Sequence, residues 1–386
     1  MEKRLNKVLF VFFEFLLLVL FFRMAMFWMY YLVYDESLTT GAMSIIRAII
    51  IALILVLFAF NGKLFFGGVH TICIMWMVGM AISLAISGAK YGLYFLCLFW
   101  PLLFESTYLF LREDERRVSH LIWFFVVVAA FGLFFFVQSM FAYGFSIQSN
   151  MIYFFELALP FLLLKDNKAW RNVVLILGTV AALASMKRSM MLAIALFWLV
   201  LAVKSLLRSG RNRGLVVVYG LLIVGVVYFS FGYVNQLSGG LMTERFEMED
   251  ASNGRESLTE ETRYLLDLST TLELWFGHGH DAVRQHSSYE MSAHNEWLEI
   301  LYDYGIIVLV IYFFFWVYLI KRWLFHYRTN SNYLIAYTLS ICVFAVMSMV
   351  SELILYVSYF LYLVMFWAAV EAMSSSDYYE YKYTGR

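Results

Sequence analysis

The sequence predicts an all-α, polytopic membrane bundle, and three observations carry that reading. Hydrophobic residues make up 63% of the chain, with a mean hydropathy of +0.75. Charged residues make up 15%, against roughly 25% in soluble domains. Apolar runs of about 20 residues, the length of a helical span, follow one another with short connectors. Backbone in hydrocarbon must satisfy its own hydrogen bonds, so the spans are helical. We expect residues 1–386 to form a single integral membrane domain with no separate soluble part.

Hydropathy windows place spans near 8–32, 43–60, 64–86, 91–111, 119–141, 148–164, 171–186, 188–207, 214–232, 297–320, 332–350 and 352–370, about twelve in all. The first run is too long for a signal-peptide core and lacks a small-residue cleavage site, so it is read as a retained span. Pro101 and Pro160 fall inside spans, where a missing backbone donor makes a kink that neighbouring helices tolerate. Cys73, Cys97 and Cys342 also fall inside spans and read as small buried hydrophobes rather than disulfides or metal ligands. No fixed-period repeat relates the two halves, which argues against a transporter of duplicated halves.

Of the 28 lysines and arginines, nineteen fall in connectors that lie on one side if the N-terminus is cytoplasmic, and seven in the others. The positive-inside rule therefore predicts cytoplasmic N- and C-termini. Residues 233–296, the one long polar stretch, then lie outside between spans nine and ten, as does the turn Ser185–Ser189 with Lys187 and Arg188. Glu14, Arg23, Glu105 and Glu156 lie within spans and should face the bundle interior, paired or lining a wet cavity.

The polar loop gathers the residues suited to chemistry. Arginine grips phosphate oxygens two at a time, and the loop holds Arg245, Arg255, Arg263 and Arg284 among many acids. Lys187 and Arg188 are read either as interfacial anchors or as phosphate ligands. Leu258 to Phe276 carries enough apolar positions for a surface helix, with Arg263 on it and Arg255 just before it. His278, His280, His286 and His294 raise a metal site as an option, but the glycines around His278 favour a turn, and no metal is expected. His294 opens a helical pattern leading into the tenth span, with Asn295 placed to cap it, and an imidazole suits proton uptake at neutral pH.

In chain order, Ser185-x-x-Arg188-Ser189, Gly254-Arg255, Gly277-x-Gly279 and His294-Asn295-x-x-Leu298-x-x-Leu301-x-x-x-Gly305-Ile306 resemble the O-antigen ligase and Wzy-type polymerase superfamily of bacterial envelopes, over about residues 175–320. Twelve spans with a large loop between the ninth and tenth also look like that family. The resemblance implies a metal-independent GT-C type glycosyltransferase without a cofactor, at the outer face of the inner membrane, with a periplasmic active site. Its partners would be undecaprenyl-pyrophosphate-linked donor and acceptor glycans, the lipid bilayer and a chain-length regulator; nucleic acid is not expected.

Carried over, Arg188 and Arg255 would hold the pyrophosphate and His294 would activate the acceptor hydroxyl, with Lys187, Arg263, Gly277, Gly279 and Asn295 contributing to binding. The family's loop arginine precedes Gly-x-Gly by about one helix length; Arg255 lies somewhat beyond that distance and Arg263 somewhat inside it. Arg255 is preferred because Gly254 precedes it. Polymerase is preferred over O-antigen ligase, since the aromatic-rich first half suits a repeat-specific enzyme. Two other classes compete: a GT-C transferase using Asp35 and Glu36 of the first outer loop, and a lipid-linked glycan flippase.

Overall fold

A computed structural model describes residues 2–29, 36–61, 67–112, 116–143, 151–185, 187–208, 232, 236 and 255–384. Among the described residues all repetitive structure is helical. The elements are α1 (Glu2–Met29), α2 (Glu36–Asn61), α3 (Val69–Ile86), a 3-10 turn (Tyr91–Tyr94), α4 (Phe95–Arg112), α5 (Arg116–Tyr143), α6 (Met151–Leu162), α7 (Lys168–Ala184), α8 (Arg188–Arg208), α9 (Arg255–Asp267), α10 (Thr271–Phe276), α11 (Ala282–His286), α12 (Glu296–Thr329), α13 (Leu334–Val350) and α14 (Val357–Thr384).

Each apolar segment expected from hydropathy overlaps one of these helices, except 214–232, which apart from residue 232 lies outside the described residues, as do Asp35, Arg245 and Gly254. Among the described residues, five helical stretches are long and apolar enough to cross a membrane: Val69–Ile86, Phe95–Arg112, Arg117–Phe141, Arg188–Leu206 and Glu296–Thr329. Arg47–Ala59, Ile152–Leu162, Leu334–Val350 and Tyr359–Ser374 are shorter apolar helices.

The chain divides into two compact units. The first comprises Met1–Phe124, Gly254–Ser331 and Met347–Arg386. Within it α4 packs on α14, α2 and α3, and α3 packs on α12. Aromatic rings fill these seams: Trp76 meets Trp100 edge-on at 5.3 Å, Trp100 lies 5.0 Å from Phe315, and Phe315 meets Trp367 at 5.6 Å. Such rings give large contact area with few rotamers to order. Gly79 lets α3 approach α12 closely, since a Cβ there would lie 2.7 Å from Ile311 Cδ1.

The second unit comprises Phe125–Asn253 and Asn332–Val346. There α7 packs on both α6 and α8. Gly178 of α7 receives Leu159 of α6, and Phe125 stacks on Phe161 at 3.7 Å. Pro160 lies inside α6 and Pro101 inside α4 without ending either helix.

The acids expected to face the interior are buried, each in a different way. Glu105 takes both its oxygens to within 2.8 and 2.9 Å of His70 Nδ1. Glu14 lies 3.4 Å from His120. Glu156 is fully buried, and neither of its carboxyl oxygens has a partner among the described residues. The Arg23 side chain lies outside the described residues.

Arg322, assigned to a connector by hydropathy, instead lies on α12, which continues to Thr329. It is buried; its Nε donates to Glu371 at 2.8 Å and its second terminal nitrogen to Ser374 at 2.7 Å, while Tyr318 also donates to Glu371. Removing one partner of a buried pair leaves an uncompensated charge, a loss of about 3–5 kcal/mol, whereas an apolar pair of similar volume is tolerated. Arg322→Leu is therefore expected to lower the thermal unfolding temperature in detergent sharply. The Arg322→Leu/Glu371→Leu double variant should recover most of the loss.

Candidate active site

The polar segment of the first unit is built on the start of α12. Asn295 caps that helix, its side-chain oxygen accepting from Trp297 N at 3.1 Å and Leu298 N at 3.3 Å. The residue before it, His294, has φ +48, a left-handed conformation uncommon outside glycine. Three acids on one face of α12, spaced by three and four residues, then hold separate loop strands through backbone N–H groups. Glu296 accepts from Ile354 N at 2.6 Å, and from the Tyr312 hydroxyl. Glu299 accepts from Ala293 N at 2.7 Å, and Asp303 accepts from Asp281 N at 2.7 Å and Val283 N at 3.0 Å.

One turn further along, α12 is interrupted at Gly305 (φ 82, ψ 177). A non-helical residue breaks the i→i−4 ladder, and the carbonyls of Tyr302 and Asp303 accept from the loop: His278 N donates to Tyr302 at 3.0 Å and Gly279 N to Asp303 at 2.8 Å. The two backbones meet so closely that a Cβ on Gly277 would fall onto Asp303 and one on Gly305 onto Trp275. Both glycines, with Gly279 (φ 108), also occupy positive φ. The Gly-x-Gly motif thus serves the docking of the loop on α12.

The expected single helix over Leu258–Phe276 is two helices. Thr270 and Glu273 form a capping box, Thr270 N donating to Glu273 at 2.7 Å and Glu273 N to Thr270 Oγ1 at 3.4 Å, and this box restarts the chain as α10. Arg255, expected just before the helix, is the first residue of α9 and is half-buried, whereas Arg263 is exposed two turns on. Neither arginine is joined to another described residue by a hydrogen bond or ion pair.

The four loop histidines divide sharply. His278 Nε2 bonds the Ser269 hydroxyl at 2.8 Å and its ring stacks on Tyr302 at 4.1 Å. His280 Nδ1 bonds Tyr304 and His286 Nδ1 bonds Tyr302, at 2.7 and 2.8 Å. His294 alone among them makes no side-chain hydrogen bond to a described residue. Burial, and then the positive charge of Arg255, push the His294 pKa below the ordinary histidine value. The structure thus brings Arg255 and His294 into electrostatic reach and leaves the imidazole neutral at neutral pH, able to accept a proton. Arg255 also lies at the start of α9, where the helix dipole disfavours a cation and favours an anion beside it.

Arg188 begins α8 in the second unit and is half-buried. The turn before it is fixed by Ser185, whose hydroxyl donates to Ala182 O at 2.7 Å and accepts from Lys187 N at 3.2 Å. Lys187 Nζ lies 5.6 Å from the Tyr153 ring centre, and the Tyr153 and Ser189 hydroxyls are 3.1 Å apart.

Sequence reasoning passed over Glu296, Glu299 and Asp303, although their helical spacing was the signal. It also passed over Glu352, which is buried, interacts with Ser292 just before His294, and keeps Oε1 without a partner among the described residues. No group of three or more potential metal ligands occurs among the described residues.

A non-glycine residue forced into an unfavourable positive φ costs of order 1–3 kcal/mol before any clash. Gly305→Ala is therefore expected to release the loop from α12, raising tryptic cleavage at Arg284 by roughly tenfold or more while the helical far-ultraviolet signal is retained.

The family model for O-antigen ligase matches residues 173–313. No curated protein matches the chain. The matched stretch takes in Arg188, Arg255, Arg263 and His294, and its ends agree with the region over which the motifs show their resemblance. Over residues 173–313 the chain is thus similar to the O-antigen ligase family.

Proposed function

We propose that the chain is a GT-C type glycosyltransferase of the bacterial inner membrane that joins undecaprenyl-pyrophosphate-linked repeat units into O-antigen, capsule or exopolysaccharide chains on the periplasmic side. The observation that carries this reading is an imidazole, His294, that has no side-chain hydrogen bond to a described residue and whose pKa is lowered by burial and then by the charge of Arg255, in a polar segment docked on α12. The family match supports a ligase- or polymerase-like transfer.

In the proposed reaction the acceptor sugar hydroxyl attacks the anomeric carbon of the donor. A C–O bond forms to the acceptor, the bond to the pyrophosphate breaks, and the hydroxyl proton passes to His294. Such general-base assistance contributes typically 10²–10⁴ in rate. Negative charge accumulates on the departing undecaprenyl pyrophosphate, and fixed cations stabilise it; one well-placed donor is worth about 2.7–4 kcal/mol by analogy with oxyanion sites. Arg255 is assigned that role on geometry and charge, and Arg188, with Lys187 beside it, by resemblance. Arg263 and Asn295 are placed second, since Arg263 is exposed and the Asn295 oxygen is used in the cap.

The description of the matching family as O-antigen ligase favours a second reading, transfer of a finished chain to lipid A core. Purified protein incubated with a lipid-pyrophosphate repeat unit and a chelator separates the two. Elongation marks a polymerase working without metal, and product formation only when lipid A core is added marks a ligase.

His294→Ala and Arg188→Ala should each abolish long-chain glycan, with protein still present in the membrane fraction; wild-type chain lengths in both variants would refute the assignment and leave a flippase. A second expectation concerns pH. The Arg255 charge holds the His294 pKa down, so Arg255→Gln lets it rise, and His294 is then protonated at higher pH than in wild type. The acid limb of the residual rate–pH profile should move towards neutral pH. An unmoved limb would mean that His294 is not the titrating base.

A further inference from the structure

The outer side of α9 and α10 carries a feature that the proposed chemistry does not use. At 3.6 residues per turn, α9 has three faces. Leu258, Thr262, Leu265 and Leu266 point inward; Leu265 and Leu266 pack on a cluster of Ala282, Val283, Ala293 and Tyr302. Glu256, Glu260, Arg263 and Asp267 form an exposed polar face. Between these two lies a third sector that begins with Ser257 and Glu261 and, over the second half of α9, is apolar and yet exposed: Tyr264 and Leu268, continued on α10 by Leu272 and Trp275, these four between 49% and 64% exposed. A helix wholly in water needs two faces, protein and solvent. Three faces suit an element lying where protein, lipid and water meet.

The position of this stripe identifies what covers it. The Ser83 hydroxyl donates to Phe276 O at 2.5 Å, which fixes the end of α10 to the last turn of α3. Ser83 is flanked by exposed Ile82 and Ile86, the final members of an outward apolar stripe on α3 that begins with Met75 and Val78. The α3 helix is one of the five stretches apolar and long enough to span a membrane, so this stripe is its lipid-facing side. The exposed residues of α10 therefore continue a lipid-facing surface beyond the end of the span. Tyrosine and tryptophan at the two ends of the new stripe are the residue types enriched at the headgroup boundary.

We propose that Tyr264, Leu268, Leu272 and Trp275 are seated in the bilayer interface, so that α9 and α10 anchor the polar segment at headgroup depth. The acidic face of α9 is turned to water, and Arg255 and His294 are held at the membrane surface. The inference does not depend on the transferase reading, since it would hold for any reaction at this segment.

Spin labels on Leu268→Cys and Leu272→Cys, in a chain whose buried cysteines 73, 97 and 342 are replaced by alanine, test this in phosphatidylethanolamine/phosphatidylglycerol vesicles. The ratio of collisions with oxygen to collisions with a water-soluble nickel chelate should be several-fold higher there than at labels on Glu260→Cys and Asp267→Cys. Equal ratios at the two pairs would overturn the proposal. Protection from both reagents, with dipolar broadening that vanishes on dilution with unlabelled protein, would assign the stripe to a second copy and overturn it as well. In the wild-type cysteine background, Trp275→Phe should remove part of the tryptophan emission quenched by lipids brominated near the headgroup. An unchanged quenchable component would count against the anchor.

Discussion

The break in α12 at Gly305 is the constraint on which the rest of the candidate site depends. Backbone carbonyls that lose their helical donors must find others or bear a desolvation cost, and the cost grows in apolar surroundings. Here Tyr302 and Asp303 find them in the N–H groups of His278 and Gly279. The polar segment is therefore part of the hydrogen-bonding of the span itself. Because two backbones must nearly touch for this to happen, Gly277 and Gly305 each leave no room for a side chain at the crossing.

The acids of α12 extend the same principle. Three buried carboxyl groups on one helix would be costly without partners, and each accepts a hydrogen bond from at least one loop N–H group. Asp303 gathers the start of α11, Glu299 the strand leading to His294, and Glu296 the turn between α13 and α14. Their effect is positional: the turn bearing His294 is fixed on both sides, by Glu299 through Ala293 and by the Asn295 cap. The left-handed His294 backbone persists because these neighbours over-determine it.

Polar contacts also decide which histidine is available. Hydroxyls of Ser269, Tyr304 and Tyr302 each engage one ring in a part-buried hydrogen bond. His294 has no such partner among the described residues, and burial, then the charge of Arg255, makes its protonation harder. A guanidinium disfavours protonation of a neighbouring imidazole and is itself suited to holding an anion. The proposed chemistry rests on the electrostatic reach between these two residues.

The sequence by itself determined what depends on composition and on neighbours a few residues apart. The apolar windows located the helices, the polar stretch located the segment bearing His294 and Arg255, and the Asn295 cap was readable from its place before an apolar helical pattern. The Thr270-x-x-Glu273 box and the Glu296, Glu299, Asp303 spacing were equally local and were legible in principle. Tertiary structure alone decided which distant residues meet: Gly277 against Gly305, Ser292 with Glu352, the Arg255 charge on His294, and Arg322 with Glu371. Local propensities cannot encode such pairs, because partners far apart along the chain are selected by how helices pack and by which buried polar groups must be satisfied. The side-chain partners of the loop histidines were hidden for that reason, since the rings differ in the hydroxyls and charges that the fold places beside them.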